Sequence, residues 1–212
     1  MVRFRAESVR IGSEASDFRY AAPAGQTGSI HLPVPGMHCV LDALAGLAVA
    51  DQLGVPLEKA AKALAGYRPL AMRMQIHRVA KGYTVVDDSY NSSPDAAKSS
   101  LSVLAGFHSG KRIAVLADML ELGNFSRQGH FSVGEYAANT DIEVLVTVGD
   151  EAKEIAEGAL SVNPKMECHV CKTNAEALDI LSSILNPGDT VLVKGSRGMK
   201  TDEIVKNLLP EG

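Results

Sequence analysis

From residue 84 onward the chain repeats one rhythm: a short apolar run, a polar cluster, then a helical segment. The runs are TVVDD (84–88), RIAVLAD (112–118), VLVTVG (144–149), ECHVC (167–171) and TVLVKGS (190–196). Segments with helical spacing follow at about 94–107, 127–139, 150–160, 174–185 and 202–209, with Thr173 or Asn174 as candidate N-cap of the fourth. Strand–helix alternation of this kind predicts a mostly parallel sheet covered on both faces. The runs are continuously apolar, not alternating, as burial on both faces demands.

The first third reads differently. Residues 2–35 are β-like: Val2-Arg3-Phe4-Arg5-Ala6 alternates, Val9 and Ile11 continue after a break, and FRYAA lies between two turn-rich stretches. SIHLPV is a last short strand, pushed toward an edge by Pro33. Val40, Leu41, Leu44, Leu47 and Ala48 then fall at helical spacing, with Gly54 as the expected stop. Pro56 suits the first turn of a second helix, which runs to about Ala65 and ends before Tyr67-Arg68-Pro69. The change of rhythm near Leu70–Arg73 divides the chain into a small α+β part, residues 1–72, and an α/β part, residues 73–212.

Charge and composition narrow the function. Lys and Arg number 21 against 25 Asp and Glu, a net charge of −4. That lacks the basic excess of a nucleic-acid binder, and with Trp absent and aromatics at 5% there is no base-stacking platform. The longest apolar run, LDALAGLAVA (41–50), is interrupted by Asp42 and falls short of the ~20 residues of a membrane span. The start, MVRFRAESVR, has no signal-peptide core. Three cysteines, at 39, 168 and 171, suit a reducing cytoplasm better than a disulfide framework.

Ligands of open α/β sheets bind beyond the carboxyl ends of strands. Three polar clusters belong there: Asp87-Asp88-Ser89-Tyr90-Asn91, Asp118-Met119-Leu120-Glu121-Leu122-Gly123, and Lys194-Gly195-Ser196-Arg197-Gly198. In the third, two cations, a hydroxyl, two glycines and a following helix N-terminus suit a carboxylate or phosphate. It is not a Walker A loop, which needs G-x-x-x-x-G-K-[ST], and the chain has no G-x-G-x-x-G. Asp87 and Asp88 are adjacent in a strand and point to opposite faces, so they do not form a proton-sharing dyad. One is expected to face a ligand, a ribose hydroxyl or Mg²⁺, and the other to orient a loop. Cys168 and Cys171 lie within a strand, where residues three apart also diverge, so no metal ligands are assigned. His130, near a helix start, reads as structural.

Together these segments resemble the C-terminal part of the Mur ligases. The carrying motifs are PGMHCVLDALAGLAVADQLG (35–54), the isolated Arg73, DDSYNSSPDAAKSSL (87–101), RIAVLADMLELG (112–123), HFSVGEYA (130–137) and VLVKGSRGM (191–199). The resemblance implies a Rossmann-like, mostly parallel sheet domain, preceded by a small α+β remnant of a P-loop ATPase domain. It implies an ATP-dependent, Mg²⁺-assisted amide ligase of peptidoglycan precursor synthesis. DDSYN followed by DMLELG and KGSRG resembles one member of the family, and that resemblance implies D-alanyl-D-alanine as incoming amine and UDP-N-acetylmuramoyl-tripeptide as acceptor. On this reading the partners are those substrates and the upstream domains of the same enzyme. The P-loop and most ATP and Mg²⁺ ligands would lie upstream of Met1, so the chain alone would be inactive.

Residue by residue, Arg73 matches a family arginine near the domain hinge that reaches the phosphates of ATP, and carries the catalytic role. His38, Asp42 and Asp88 fall at nucleotide-site positions. Tyr90 and Asn91 match family positions that face the incoming dipeptide, and Lys194, Ser196 and Arg197 match the loop that would hold its carboxylate. The family usually shows His-Asn-x-x-Asn where this chain has His38-Cys39-Val40-Leu41-Asp42. An Asn amide both donates and accepts, whereas an ionised Asp42 only accepts. The alternatives are a non-catalytic module that binds a small anion, and another amide ligase of the Mur or folylpolyglutamate type.

Overall fold

The structure, a computed structural model, describes residues 4–209; Val2 and Arg3 of the expected first alternation lie outside the described residues. The chain divides into two units, Met1–Pro69 and Leu70–Gly212.

In the first unit β1 (Arg5–Ile11), β2 (Ser16–Ala21) and β3 (Thr27–Leu32) form an antiparallel sheet in that order. β2 buries Ser16, Phe18 and Tyr20 and exposes Asp17 and Arg19, the period of two that covers one face. The break in the sequence alternation is a bulge: the β1–β2 register shifts between Glu7 and Arg10, and Ser8 has φ of 53°. The helices α1 (Met37–Gln52) and α2 (Leu57–Leu64) pack against this sheet, α1 through Val40, Ala43, Leu44 and Leu47. Gly54, at φ 72°, donates to the Asp51 carbonyl at 3.0 Å while Val55 donates to Ala50 at 2.9 Å. This paired closure satisfies carbonyls left open at the end of α1, and its left-handed residue favours glycine. Pro56 sits one position earlier than expected. Its φ of −55° is helical but its ψ of 128° is extended, so it caps α2 from outside.

In the second unit six strands form one sheet: β4 (Gln75–Arg78), β5 (Thr84–Asp88), β6 (Arg112–Ala117), β7 (Val144–Val148), β8 (Glu167–Cys171) and β9 (Thr190–Lys194). Their spatial order is β4-β5-β9-β6-β7-β8; β4 is antiparallel to β5 and the other neighbours are parallel. The connecting helices are α3 (Pro94–Ala105), α4 (Ser126–Ala138), α5 (Lys153–Val162), α6 (Asn174–Ile184) and α7 (Asp202–Leu208). Ser93 caps α3 and Thr173 caps α6, each side chain accepting an N–H three residues on.

Every residue of β7 and β9 is buried. Val85, Val115, Val146 and Val193 share one core with Leu181 of α6 and Ile204 of α7. The alternate residues Val86, Leu116, Leu145 and Leu192 are equally buried, and α3 and α5 pack against β6, β7 and β9. Each fully buried aliphatic side chain contributes about 1.5–3 kcal/mol. Two elements depart from the sequence pattern. β4 was not expected: its QIHR holds a single aliphatic residue and is half-exposed. β8 is not covered on both faces, since it is an edge strand with Val170 58% exposed. Among the described residues no helix is long and apolar enough to cross a membrane.

Candidate functional site

The order of strands assembles the site. β9 comes last in the chain yet lies between β5 and β6. The three polar clusters at the carboxyl ends of these strands are therefore neighbours.

At the end of β5 the two aspartates separate as adjacent strand residues should. Asp87 is buried and turns back on its own loop, accepting from the Ser89 N–H at 3.1 Å and the Ser89 hydroxyl at 2.5 Å. Asp88 joins three segments. Its Oδ1 accepts from the Met74 N–H at 3.2 Å, and its Oδ2 accepts from Ser100 Oγ at 2.7 Å and Lys194 Nζ at 2.6 Å. Lys194 is only 3% exposed and also donates to the Asn91 carbonyl at 3.0 Å. Its charge is thus spent on Asp88, as a buried ammonium requires. It fixes the β5 and β9 ends together, in place of standing open as a hydrogen-bond donor to an anion.

At the end of β6, Asp118 accepts from the N–H groups of Asp150 at 3.2 Å, Glu151 at 3.0 Å and Ala152 at 2.6 Å. It caps the turn after β7 and does not face the site. The next residues are held from two sides. The Met119 N–H donates to Nε2 of the fully buried His130 at 2.8 Å, and the Leu120 N–H donates to Ser196 Oγ at 2.9 Å. His130 Nδ1 lies 2.8 Å from the Ser126 carbonyl, which fixes the proton on that nitrogen. His130 thus has the structural part expected of it. Ser196 is also buried, and its N–H donates to the Asp118 carbonyl at 3.1 Å.

The expected helix N-terminus after the third cluster is not an anion site. A 3₁₀ turn, Arg197–Met199, intervenes, and α7 begins with Asp202 and Glu203 in its first turn. Arg197, with its side chain 58% exposed, donates to Asp202 at 3.2 Å. Hydrogen bonding from Lys206, with the charges of Lys206 and Arg197, holds the Asp202 carboxyl below the usual range. Gly195 is needed for close approach: a Cβ there would lie 2.7 Å from that of Ala117.

Between these ends lies a cavity of about 340 Å³ lined by Asn91, Ser92, Ser93, Leu120, Glu121, Leu122, Ser196, Arg197 and Gly198. The sequence-predicted Asn91, Ser196 and Arg197 line it. Arg73 and Tyr90 are exposed nearby in sequence and fold, stacked on each other with the guanidinium carbon 4.1 Å from the ring centroid. Leu120, Glu121 and Leu122 of the second cluster also line it, beyond the residues expected to bind. Glu121, in the cavity wall, has φ of 65°, a left-handed conformation uncommon for a residue other than glycine.

His38 and Asp42 belong to the first unit. His38 is half-buried in the first turn of α1, and Asp42 is exposed one turn later. Asp42 lines a separate cavity of about 200 Å³ with Leu32, Val34, Cys39, Ala43, Leu64 and Tyr67. Cys168 and Cys171 do not form a site: burial pushes both thiols up, and Cys171 belongs to the sheet core. Among the described residues no group of three His, Cys, Asp or Glu could hold a metal ion.

Residues 72–197 match the family model described as Mur ligase, glutamate ligase domain. The chain belongs to the Mur ligase family. Among curated Mur ligases, it is 32% identical over 200 residues to the UDP-N-acetylmuramoyl-tripeptide–D-alanyl-D-alanine ligase of Bacillus subtilis strain 168, covering 93% of this chain and 43% of that protein. It is 29% identical to the ligase of the same name from Escherichia coli K12, covering 99% of this chain and 45% of that one. Among solved Mur ligases, a crystal structure of MurF from Acinetobacter baumannii superposes with a TM-score of 0.86 at 28% identity, over 96% of this chain and 44% of that one. The chain thus spans less than half the length of the Mur ligases it matches.

Proposed function

We propose that this chain is the portion that receives the incoming amine in an ATP-dependent ligase that joins D-alanyl-D-alanine to UDP-N-acetylmuramoyl-tripeptide. The cavity at the ends of β5, β9 and β6 carries the reading. Its polar lining from Asn91, Ser92, Ser93 and Ser196, with one exposed cation at Arg197, suits a short peptide with a free carboxylate. The names of the relatives supply the substrate class. Residues 1–72 are then the end of the central ATP-binding domain and 73–212 the C-terminal domain.

In such a reaction the acceptor carboxylate would take up the terminal phosphoryl group of ATP, leaving ADP, and the dipeptide amine would then attack the acyl carbon, with inorganic phosphate as the leaving group. What this chain contributes is positioning and charge. Arg197 pairs with the dipeptide carboxylate in exchange for Asp202, and Asn91 and Ser196 orient the peptide. Arg73 brings a permanent cation to transferring phosphate, where a guanidinium edge matches phosphate oxygens. The Lys194–Asp88 pair holds the β5 and β9 loops together and makes Asp88 a positioning residue.

The first-unit cavity fits the purine of ATP: its walls are mainly apolar, and Asp42 can accept from an exocyclic amine. Among the described residues no group of three acidic, His or Cys side chains gathers as a metal cage, and the reading assigns most Mg²⁺ ligands to the upstream half. A cytoplasmic location follows from the substrates.

The test is ATP-dependent phosphate release with both substrates, run on this chain alone and on the chain extended upstream through a P-loop domain. Release only by the extended protein, and only with the dipeptide, supports the reading; Arg73→Ala should then cut turnover about 100-fold or more, as removal of a transition-state charge donor does. The replacement of the family asparagines by Cys39 and Asp42 favours a second reading, a non-catalytic small-anion module. No release from a folded extended protein would select it.

A further inference from the structure

Arg73 is held from two directions by one residue. The Tyr90 ring lies 4.1 Å beneath the Arg73 guanidinium carbon, and the Tyr90 N–H donates to the Met72 carbonyl at 3.1 Å. On the other side of Arg73, the Met74 N–H donates to Asp88 at 3.2 Å. Met72 and Met74 both adopt left-handed backbone, with φ of 63° and 52°. Such values are uncommon for methionine and persist where the surroundings over-determine them. Here the β5 end does so, pinning the backbone on both sides of the arginine.

We propose that Tyr90 is a positioning residue for Arg73, and not primarily a contact of the incoming dipeptide. The geometry explains the choice of an aromatic side chain. Stacking uses the face of the guanidinium and leaves its N–H donors free at the edge, where an anion binds. A long exposed side chain otherwise loses many rotamers on binding, and the stack removes much of that loss beforehand. Tyr90 does not line the cavity assigned to the dipeptide, whereas its neighbour Asn91 does. The role of Arg73 toward phosphate rests on the ligase reading; the stack itself does not.

Two measurements separate these. The first is the Arg73 Nε–H resonance in the folded chain, which the ring current of Tyr90 should displace. Tyr90→Leu should abolish the displacement and Tyr90→Phe should keep it. No displacement in the wild-type chain overturns the proposal whatever the reaction. The second is steady-state ligation by the extended protein. Tyr90→Leu should lower kcat about 3- to 10-fold, the size of a stacked cation on a ring, with the KM for D-alanyl-D-alanine unchanged. Tyr90→Phe should recover most of that loss, and Tyr90→Leu should add nothing once Arg73→Ala is present. A raised dipeptide KM with unchanged kcat overturns the proposal and leaves the ligase reading standing. Normal displacement in a wild-type extended protein that releases no phosphate overturns the ligase reading and with it the catalytic purpose of the stack.

Discussion

Gly46 and Gly134 sit inside long helices of the two units and mean opposite things. At Gly134 in α4 a Cβ would overlap the Ile155 carbonyl of α5 and lie 2.7 Å from the Ala159 nitrogen. Gly158 of α5 meets the Phe131 carbonyl of α4 in the same way. The two backbones touch, and only glycine permits it. At Gly46 in α1 nothing lies within 4 Å of a Cβ. The contrast extends to the units. In residues 70–212 the central strands are buried on both faces. In residues 4–69 the sheet exposes one face, α1 exposes Leu41 and Val49, and Leu53 just after it is 75% exposed. Dense packing makes a residue's identity compulsory; an open surface leaves it to local propensity.

The largest effect should come from Gly134→Ala. Backbone overlap cannot be relieved by a rotamer change, so the second unit should lose about 3 kcal/mol or more, read from its denaturant midpoint. A loss below about 0.5 kcal/mol would show that α4 and α5 separate cheaply and would break the contrast.

Asp118→Ala should come next. It strips the acceptor from three N–H groups at the turn after β7, at a cost of about 2–4 kcal/mol. Faster amide exchange at 150–152 with the sheet core still protected would confirm that Asp118 is a cap. Wild-type exchange there would show that Asp118 does not hold this turn.

Gly46→Ala should stabilise the first unit by about 0.8 kcal/mol, the helix-propensity difference between the two residues. Destabilisation would mean that the open face of α1 is packed in solution.

The smallest effect is electrostatic. Burial pushes the Glu143 carboxyl up, but hydrogen bonds and charge from Arg112, which donates from its side chain and backbone, outweigh it and hold the carboxyl below its usual value. A depressed folded-state value means that the unfolded chain binds the proton first as pH falls. The pair therefore stabilises fully above the ordinary carboxylate range and is lost below about pH 4. Glu143 is 40% exposed, so about 1 kcal/mol or less is at stake. Glu143→Gln should lower the denaturant midpoint at neutral pH and converge with wild type in acid. A constant offset at all pH values would assign the effect to packing.

Four of the five parallel strands were legible because valine- and leucine-rich runs such as TVLV can be stable only when buried on both sides. The fifth, ECHVC, was legible as a strand but not as an edge, since edge status depends on what lies beside it. QIHR was missed because a half-exposed antiparallel strand with one aliphatic residue has no pattern to find. At the site, Asn91 and Arg197 line the expected cavity. Leu120–Leu122 went unassigned because two are apolar, and their place in the wall comes from His130 and Ser196 holding the loop backbone.

What the sequence determined by itself is the class of sheet, the two-part organisation and the clustering of polar residues after strands, all consequences of local periodicity and burial. Tertiary structure decided the rest. It inserted the last strand between the first two parallel ones, which brings three distant clusters together. It also decided which charges remain available. Lys194 and Asp88 are 106 residues apart and neutralise each other at 2.6 Å, and Arg73 rests on Tyr90. Sequence shows that a charge exists, but its partner is set by the fold, because a buried charge must be paired wherever the chain happens to bring its counter-ion.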